Sequence, residues 1–207
     1  MAGVITALKI QKKNKERVNV FVDQEFVTGV TVMVAAGLRT GQFLSDAEID
    51  QLKHGDERNK AYDRAIQFLS FRARSRAEVT RYLRDKDYPD EVIDQTINRL
   101  LEQNYLNDEE FVRHWLQNRE QFRPRGQQAL RYELRQKGIS DQIINTMLAD
   151  VDEDELAWAA VEPKLARWRQ LPEQEFKKKL VAFLSRRGFS YAIANDIFYR
   201  AWQESDL

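Results

Sequence analysis

Cysteine is absent from this 207-residue chain, which excludes disulfides, thiol nucleophiles and thiolate-bound metal or iron–sulfur sites. Histidine occurs only twice, and His54 and His114 stand far apart without metal-site or triad spacing, so both read as structural or solvent-exposed. Phosphate-cradling loops of the Gly-x-x-x-x-Gly-Lys-Ser/Thr or Gly-x-Gly-x-x-Gly kind are missing as well. The acidic run Asp150, Asp152, Asp154 fails as a calcium loop, because Glu155 stands where glycine is required and Val161 where the closing glutamate should be. It fits a solvated connection with acids near the start of the next helix. Net charge is zero, with 33 basic side chains offset by 33 acidic ones, so contact with nucleic acid or an anionic surface must rely on a local patch. No uncharged apolar run reaches the roughly 18 to 20 residues that span a bilayer. Residues 1–10 lack a signal-type apolar segment before Lys12, Lys13 and Lys15 intervene, and a cytoplasmic location is expected. An enzyme, a cofactor and a bound metal are not expected.

Proline and glycine are scarce, at four and eight residues, so little interrupts helices. The 43% apolar content is enough for a core, and the 32% charged content, rich in Arg, Lys and Glu, favours helices with charged outer faces. The first 45 or so residues read differently. Val18, Val20 and Val22 alternate after the polar segment 12–16, residues 4–10 offer a partner strand, and Asp23-Gln24-Glu25 leads into a third at 26–30. A small antiparallel meander is expected. Ser45-Asp46-Ala47-Glu48 then forms a capping box, followed by a short helix through Leu52 that Gly55-Asp56 interrupts.

From residue 60 onward three stretches superpose at a period of about 50 residues. They are Val79-Thr80-Arg81-Tyr82-Leu83-Arg84-Asp85-Lys86-Asp87-Tyr88, Leu130-Arg131-Tyr132-Glu133-Leu134-Arg135-Gln136-Lys137-Gly138-Ile139 and Leu180-Val181-Ala182-Phe183-Leu184-Ser185-Arg186-Arg187-Gly188-Phe189. In each, an apolar pair at i and i+4 marks a buried helix stripe. Gly138 and Gly188 suit a left-handed C-cap, and Asp87 occupies that place at higher cost. Another helix precedes each stretch, at 61–71, 110–121 and 156–168, and another follows, beginning at Pro89-Asp90, Ser140-Asp141 and Ser190. The middle helices start at the capping box Ser75-Arg76-Ala77-Glu78, at Pro124-Arg125-Gly126 and at Pro172. The expected fold is mainly α: three tandem three-helix, helix-turn-helix-like repeats in an elongated array after an N-terminal β region. The divisions fall at 1–56, 57–108, 109–155 and 156–207.

Basic residues recur at equivalent places in the repeats. Arg72, Arg74 and Arg76 crowd the start of the first middle helix, with Arg81 and Arg84 along it; Arg123 and Arg125 precede the second, which carries Arg131, Arg135 and Lys137; Lys177, Lys178 and Lys179 open the third, followed by Arg186 and Arg187. Stacked copies would align these charges into a discontinuous basic stripe suited to a long anionic partner. The plainer reading is that Arg and Lys are good helix formers on solvated faces and complement helix dipoles. Trp115, Trp158, Trp168 and Trp202, with Tyr62, Phe68, Phe111 and Phe198, keep helical spacing with Leu and Ile and read as core rather than as base-stacking platforms.

The ordered set Phe71-Arg72-Ala73-Arg74-Ser75-Arg76-Ala77-Glu78-Val79, Leu106-Asn107-Asp108-Glu109-Glu110-Phe111, Leu134-Arg135-Gln136-Lys137-Gly138-Ile139 and Phe183-Leu184-Ser185-Arg186-Arg187-Gly188-Phe189 resembles the RecX family. Ile5-Thr6-Ala7-Leu8 and Gly37-Leu38-Arg39-Thr40-Gly41 resemble the extension of its longer members. The resemblance implies a non-catalytic regulator that lies in the groove of the RecA–DNA filament and restrains filament growth, ATP hydrolysis, strand exchange and co-protease function, and a monomer is expected. Contact with DNA would be weak or indirect. A direct DNA-binding module is the alternative from another class, but the helices after each turn, which would read a major groove, are poor in Arg and Lys. An enzyme ranks behind both.

Overall fold

The structure, a computed structural model, describes residues 2–203; Met1 and residues 204–207, at the outer edges of the first and last expected divisions, lie outside the described residues. The chain forms two compact units, Met1–Arg72 with Val79–Tyr105, and Ala73–Glu78 with Leu106–Leu207.

In the first unit, strands β1 (Gly3–Ile10), β2 (Arg17–Val22) and β3 (Glu25–Thr31) form the expected meander. A two-residue strand β4 (Phe43–Leu44) pairs with the start of β1, giving the order β3-β2-β1-β4. Side chains alternate across the sheet. Ile5, Val18, Val20, Val22 and Val30 therefore bury one face against Leu44 and Ile49. The β2–β3 turn puts Asp23 and Gln24 at positive φ, 48° and 73°, the geometry that hairpin turns usually give to Asn-Gly. Cross-strand bonds hold it there: the Val4 N–H donates to Asp23 (3.1 Å), and the Gln24 N–H donates to the Thr6 hydroxyl (2.9 Å).

A one-turn helix α1 (Val32–Ala35) leads towards β4, and α2 (Asp46–Leu69) follows. Its capping box is formed as expected, with Ser45 N–H donating to Glu48 (2.8 Å) and Glu48 N–H to the Ser45 hydroxyl (3.3 Å). The expected break at Gly55-Asp56 does not occur, and α2 runs through both residues. A glycine inside a helix costs about 1 kcal/mol relative to alanine. The tertiary anchor offsets this: the buried Asp56 carboxylate accepts from Arg17 on β2 and from the Thr28 hydroxyl on β3 (3.2 Å), and pairs with Lys60 one turn on (2.7 Å). Position 56 is thus mid-helix. The second half of α2 packs on α4 (Asp90–Glu102), with Ala61 and Ala65 wholly buried.

Helix α3 (Arg76–Arg84) is the first of the repeated middle helices. The second unit continues with α5 (Asp108–Phe122), α6 (Gln127–Gln136), α7 (Asp141–Ala149), α8 (Glu153–Trp168), α9 (Glu173–Ser185) and α10 (Tyr191–Gln203). The fold is therefore mainly helical, with three three-helix domains after a four-stranded antiparallel sheet. The predicted stripes Val79/Leu83, Leu130/Leu134 and Leu180/Leu184 are all buried. Trp168 is buried, and Trp115, Trp158 and Trp202 pack against the cores of their own domains. Pro163 sits inside α8, where its missing N–H forfeits one ladder bond without ending the helix. Asp152 caps that helix by accepting the N–H groups of Asp154 (3.1 Å) and Glu155 (3.0 Å), which accounts for the acidic run.

The three repeat turns share one geometry. Asp87, Gly138 and Gly188 have φ of 61°, 76° and 85°. The following N–H reaches back to the last core leucine in each: Tyr88 to Leu83 (3.3 Å), Ile139 to Leu134 (3.1 Å) and Phe189 to Leu184 (3.2 Å). These are Schellman closures, which satisfy carbonyls at the helix end.

Candidate partner-binding surface

Within the second unit, the turn closing each middle helix sits on the first turn of the middle helix one repeat earlier. The Ser75 hydroxyl donates to the Lys137 carbonyl (2.6 Å), Lys137 Nζ pairs with Glu78 (2.9 Å), and a Cβ added to Gly138 would lie 2.2 Å from the Ala77 Cβ. The contact recurs one repeat on. The Gly126 N–H donates to the Arg187 carbonyl (3.0 Å), Arg187 Nη1 donates to the Pro124 carbonyl (3.0 Å), and a Cβ on Gly188 would lie 2.6 Å from the Ala129 nitrogen. Glycine is therefore required twice over, for its φ and for close approach. Asp87 needs only the φ, since its side chain is exposed.

The sequence-selected basic residues divide between the units. Arg72, Arg81 and Arg84 belong to the first and are exposed, with Arg84 paired to Asp90 (2.9 Å). The others belong to the second. Arg76 is exposed, while its backbone N–H donates to the Asp108 carboxylate (2.8 Å). Arg74 is half-buried. Half-buried Arg125 faces Glu133 (3.5 Å), which also accepts from Arg119 (2.8 Å) and the Trp115 indole (3.0 Å). Arg131 bonds Asn145, Lys137 lies over the Trp115 ring, and Lys177 lies over Phe198 and Tyr199. Arg187 packs on Phe183. Burial, then the neighbouring charges of Arg125 and Arg123, hold the Arg187 guanidinium below its ordinary pKa. Arg123, Lys178, Lys179 and Arg186 are exposed, and the last three line one shallow depression with Leu171, Glu175 and Ala182.

Two exposed aromatic side chains are given no role by the sequence reading. Phe71 and Phe122 are 76% and 70% exposed, each directly before the Arg that leads into a middle helix. The signal was the recurrence of Phe-Arg-x-Arg, as Phe71-Arg72-Ala73-Arg74 and Phe122-Arg123-Pro124-Arg125. Among the described residues no helix is long and apolar enough to cross a membrane.

Family descriptions match in chain order: the regulatory protein RecX N-terminal domain over residues 3–45, and the first, second and third RecX three-helix domains over 61–100, 107–148 and 152–198. Regulatory protein RecX of Bacillus subtilis (strain 168) is 35% identical, over 98% of this chain and 78% of the relative. That of Bacillus velezensis is 33% identical, over 98% and 79%. A crystal structure of regulatory protein RecX is similar with a TM-score of 0.76 at 26% identity, covering 95% of this chain and 98% of the other. RecX from Lactobacillus salivarius has a TM-score of 0.64 at 26% identity, covering 70% and 97%.

Proposed function

Since the chain belongs to the RecX family of regulatory proteins, we propose that it binds the RecA filament on DNA, lies in the filament groove and restrains filament extension, ATP hydrolysis, strand exchange and co-protease action. The observation that carries this reading is the match of all four RecX segments in order, at more than 30% identity to full-length regulators. The action is binding without chemistry. Several three-helix domains, each making a weak contact, add up to a long-lived attachment once the first is engaged. Within the basic set, exposed Arg72, Arg76, Arg81, Arg84, Arg123, Lys178, Lys179 and Arg186 make the contacts. Half-buried Arg74, Arg131, Lys137 and Lys177 hold the helix starts and joints that present them, while half-buried Arg125 and Arg187 stay partly accessible at the joint between the second and third domains. A base-reading module is disfavoured by α7, which carries no Arg or Lys at all. We place the protein in the cytoplasm as a monomer.

The test is RecA ATP hydrolysis on single-stranded DNA with this protein titrated in. Inhibition well below one protein per RecA is the expected result. Unchanged hydrolysis at equimolar protein would overturn the reading.

A further inference from the structure

The same joint is built twice in the second unit, but the glutamate that pairs with its closing basic residue is present only once. At the first, Lys137 is neutralised by Glu78 at 2.9 Å. At the second, Arg187 takes the place of Lys137, and the position equivalent to Glu78 is Ala129. Arg123 and Arg125 flank Pro124, whose carbonyl receives Arg187 at 3.0 Å, so three guanidiniums converge on one short segment. The one carboxylate in ion-pair range of this group among the described residues is Glu133; it serves Arg125 at 3.5 Å and is shared with Arg119 at 2.8 Å. Among the described residues Arg123 and Arg187 have no carboxylate partner.

We propose that the second joint is a nucleotide-binding subsite, in which Arg123, Arg125 and Arg187 take a backbone phosphate of single-stranded nucleic acid and Phe122 stacks on its base. Guanidinium forks match phosphate oxygens bidentately. An oxyanion here relieves the like-charge crowding that already bears on the half-buried Arg187. Phe122, 70% exposed beside Arg123, offers the open ring face that a base requires and an acidic peptide does not. The pairing recurs as exposed Phe71 beside exposed Arg72. Because the Arg187 carbonyl receives the Gly126 N–H, a ligand on the Arg187 side chain also steadies the contact between the second and third domains.

The experiment uses the full chain and two readouts: anisotropy of a labelled dT oligonucleotide over a salt series, and urea unfolding followed by tryptophan fluorescence. Phe122→Ala and Arg123→Gln, both at exposed positions, are expected to weaken oligonucleotide binding about five-fold or more. Arg123→Gln should also flatten the salt slope by about 0.7, one phosphate on a single strand. Arg113→Gln, at an exposed residue of α5, controls for total charge and should stay within about two-fold on the same scale. The oligonucleotide should raise the urea midpoint of wild type, and less so that of Phe122→Ala. Unchanged affinity and slope in both variants would overturn the proposal. So would inorganic phosphate reproducing the full stabilisation with Phe122→Ala indifferent, which describes a free-anion site. Loss of RecA inhibition with oligonucleotide binding intact would mean that these residues face protein. Oligonucleotide binding with no effect on RecA would instead refute the filament reading and leave the subsite standing.

Discussion

Gly138→Ala probes whether the repeat glycine serves the joint as well as the turn. Its φ of 76° costs an L-residue about 1–2 kcal/mol. The added methyl would lie 2.2 Å from the Ala77 Cβ, where carbon atoms prefer about 3.5–4.0 Å. Neither methyl has a rotamer to escape into, so α3 and the α6–α7 turn must move apart by more than about 1 Å, straining the neighbouring Ser75–Lys137 and Glu78–Lys137 bonds. Overpacking of this kind costs about 1–3 kcal/mol, for a total of about 2–5 kcal/mol. The assay is urea unfolding read by tryptophan fluorescence. Trp115, Trp158, Trp168 and Trp202 all fall within the second unit, so the signal reports on it selectively. With m near 2 kcal/mol/M the midpoint should fall by roughly 1–2.5 M. Adding Ala77→Gly removes the obstructing methyl and leaves the Ala77 Cα at 3.7 Å, an ordinary contact. The double variant should therefore recover about 1–3 kcal/mol relative to the sum of the single changes. A Gly138→Ala effect below about 0.5 kcal/mol, or strict additivity with Ala77→Gly, would refute the joint.

Asp56→Ala leaves buried Arg17 without its carboxylate and should cost the first unit about 3–5 kcal/mol, seen in the far-ultraviolet dichroism melt but not in tryptophan fluorescence, since that unit holds no tryptophan. Burial raises the Asp108 carboxyl above its ordinary value, against the lowering effect of the Arg76 N–H and charge. A raised acid makes the folded state the better proton binder, so this group's contribution is most favourable below its unfolded pKa and turns against folding as pH rises through the folded one. Asp108→Asn keeps an acceptor for the Arg76 N–H and should raise the urea midpoint at neutral pH, with the gain vanishing near pH 3, roughly a unit below the unfolded value; an unchanged or lower neutral midpoint would contradict this. Asp87→Gly should stabilise the protein by no more than about 1 kcal/mol in thermal unfolding, because the exposed turn gains only backbone freedom.

What could be read from the sequence was what neighbours along the chain decide. The capping boxes at Ser45 and Ser75, the core pairs such as Leu130/Leu134, and the left-handed turns all close within a few residues. The continuity of α2 could not be read, because Asp56 looks like a helix breaker until Arg17 and Thr28, distant in sequence, reach it. Two-residue β4 carries too little alternation to announce itself. The basic clusters stood out, but their sorting into paired and surplus charge depended on Glu78 meeting Lys137 across 59 positions. Asp87 shows how far local reasoning reaches. As a turn residue it is merely a costlier glycine. Set beside its two counterparts, it separates two demands that coincide elsewhere: glycine stands at the two turns that press on an alanine of the previous middle helix, and is replaced where the side chain meets solvent. The repeat therefore records contact between domains as well as the shape of a turn. By the same logic, the change from Glu78 to Ala129 at the second joint is a change in what that joint presents to a partner, since the carbonyl of the closing basic residue is still held there, by the Gly126 N–H in place of the Ser75 hydroxyl.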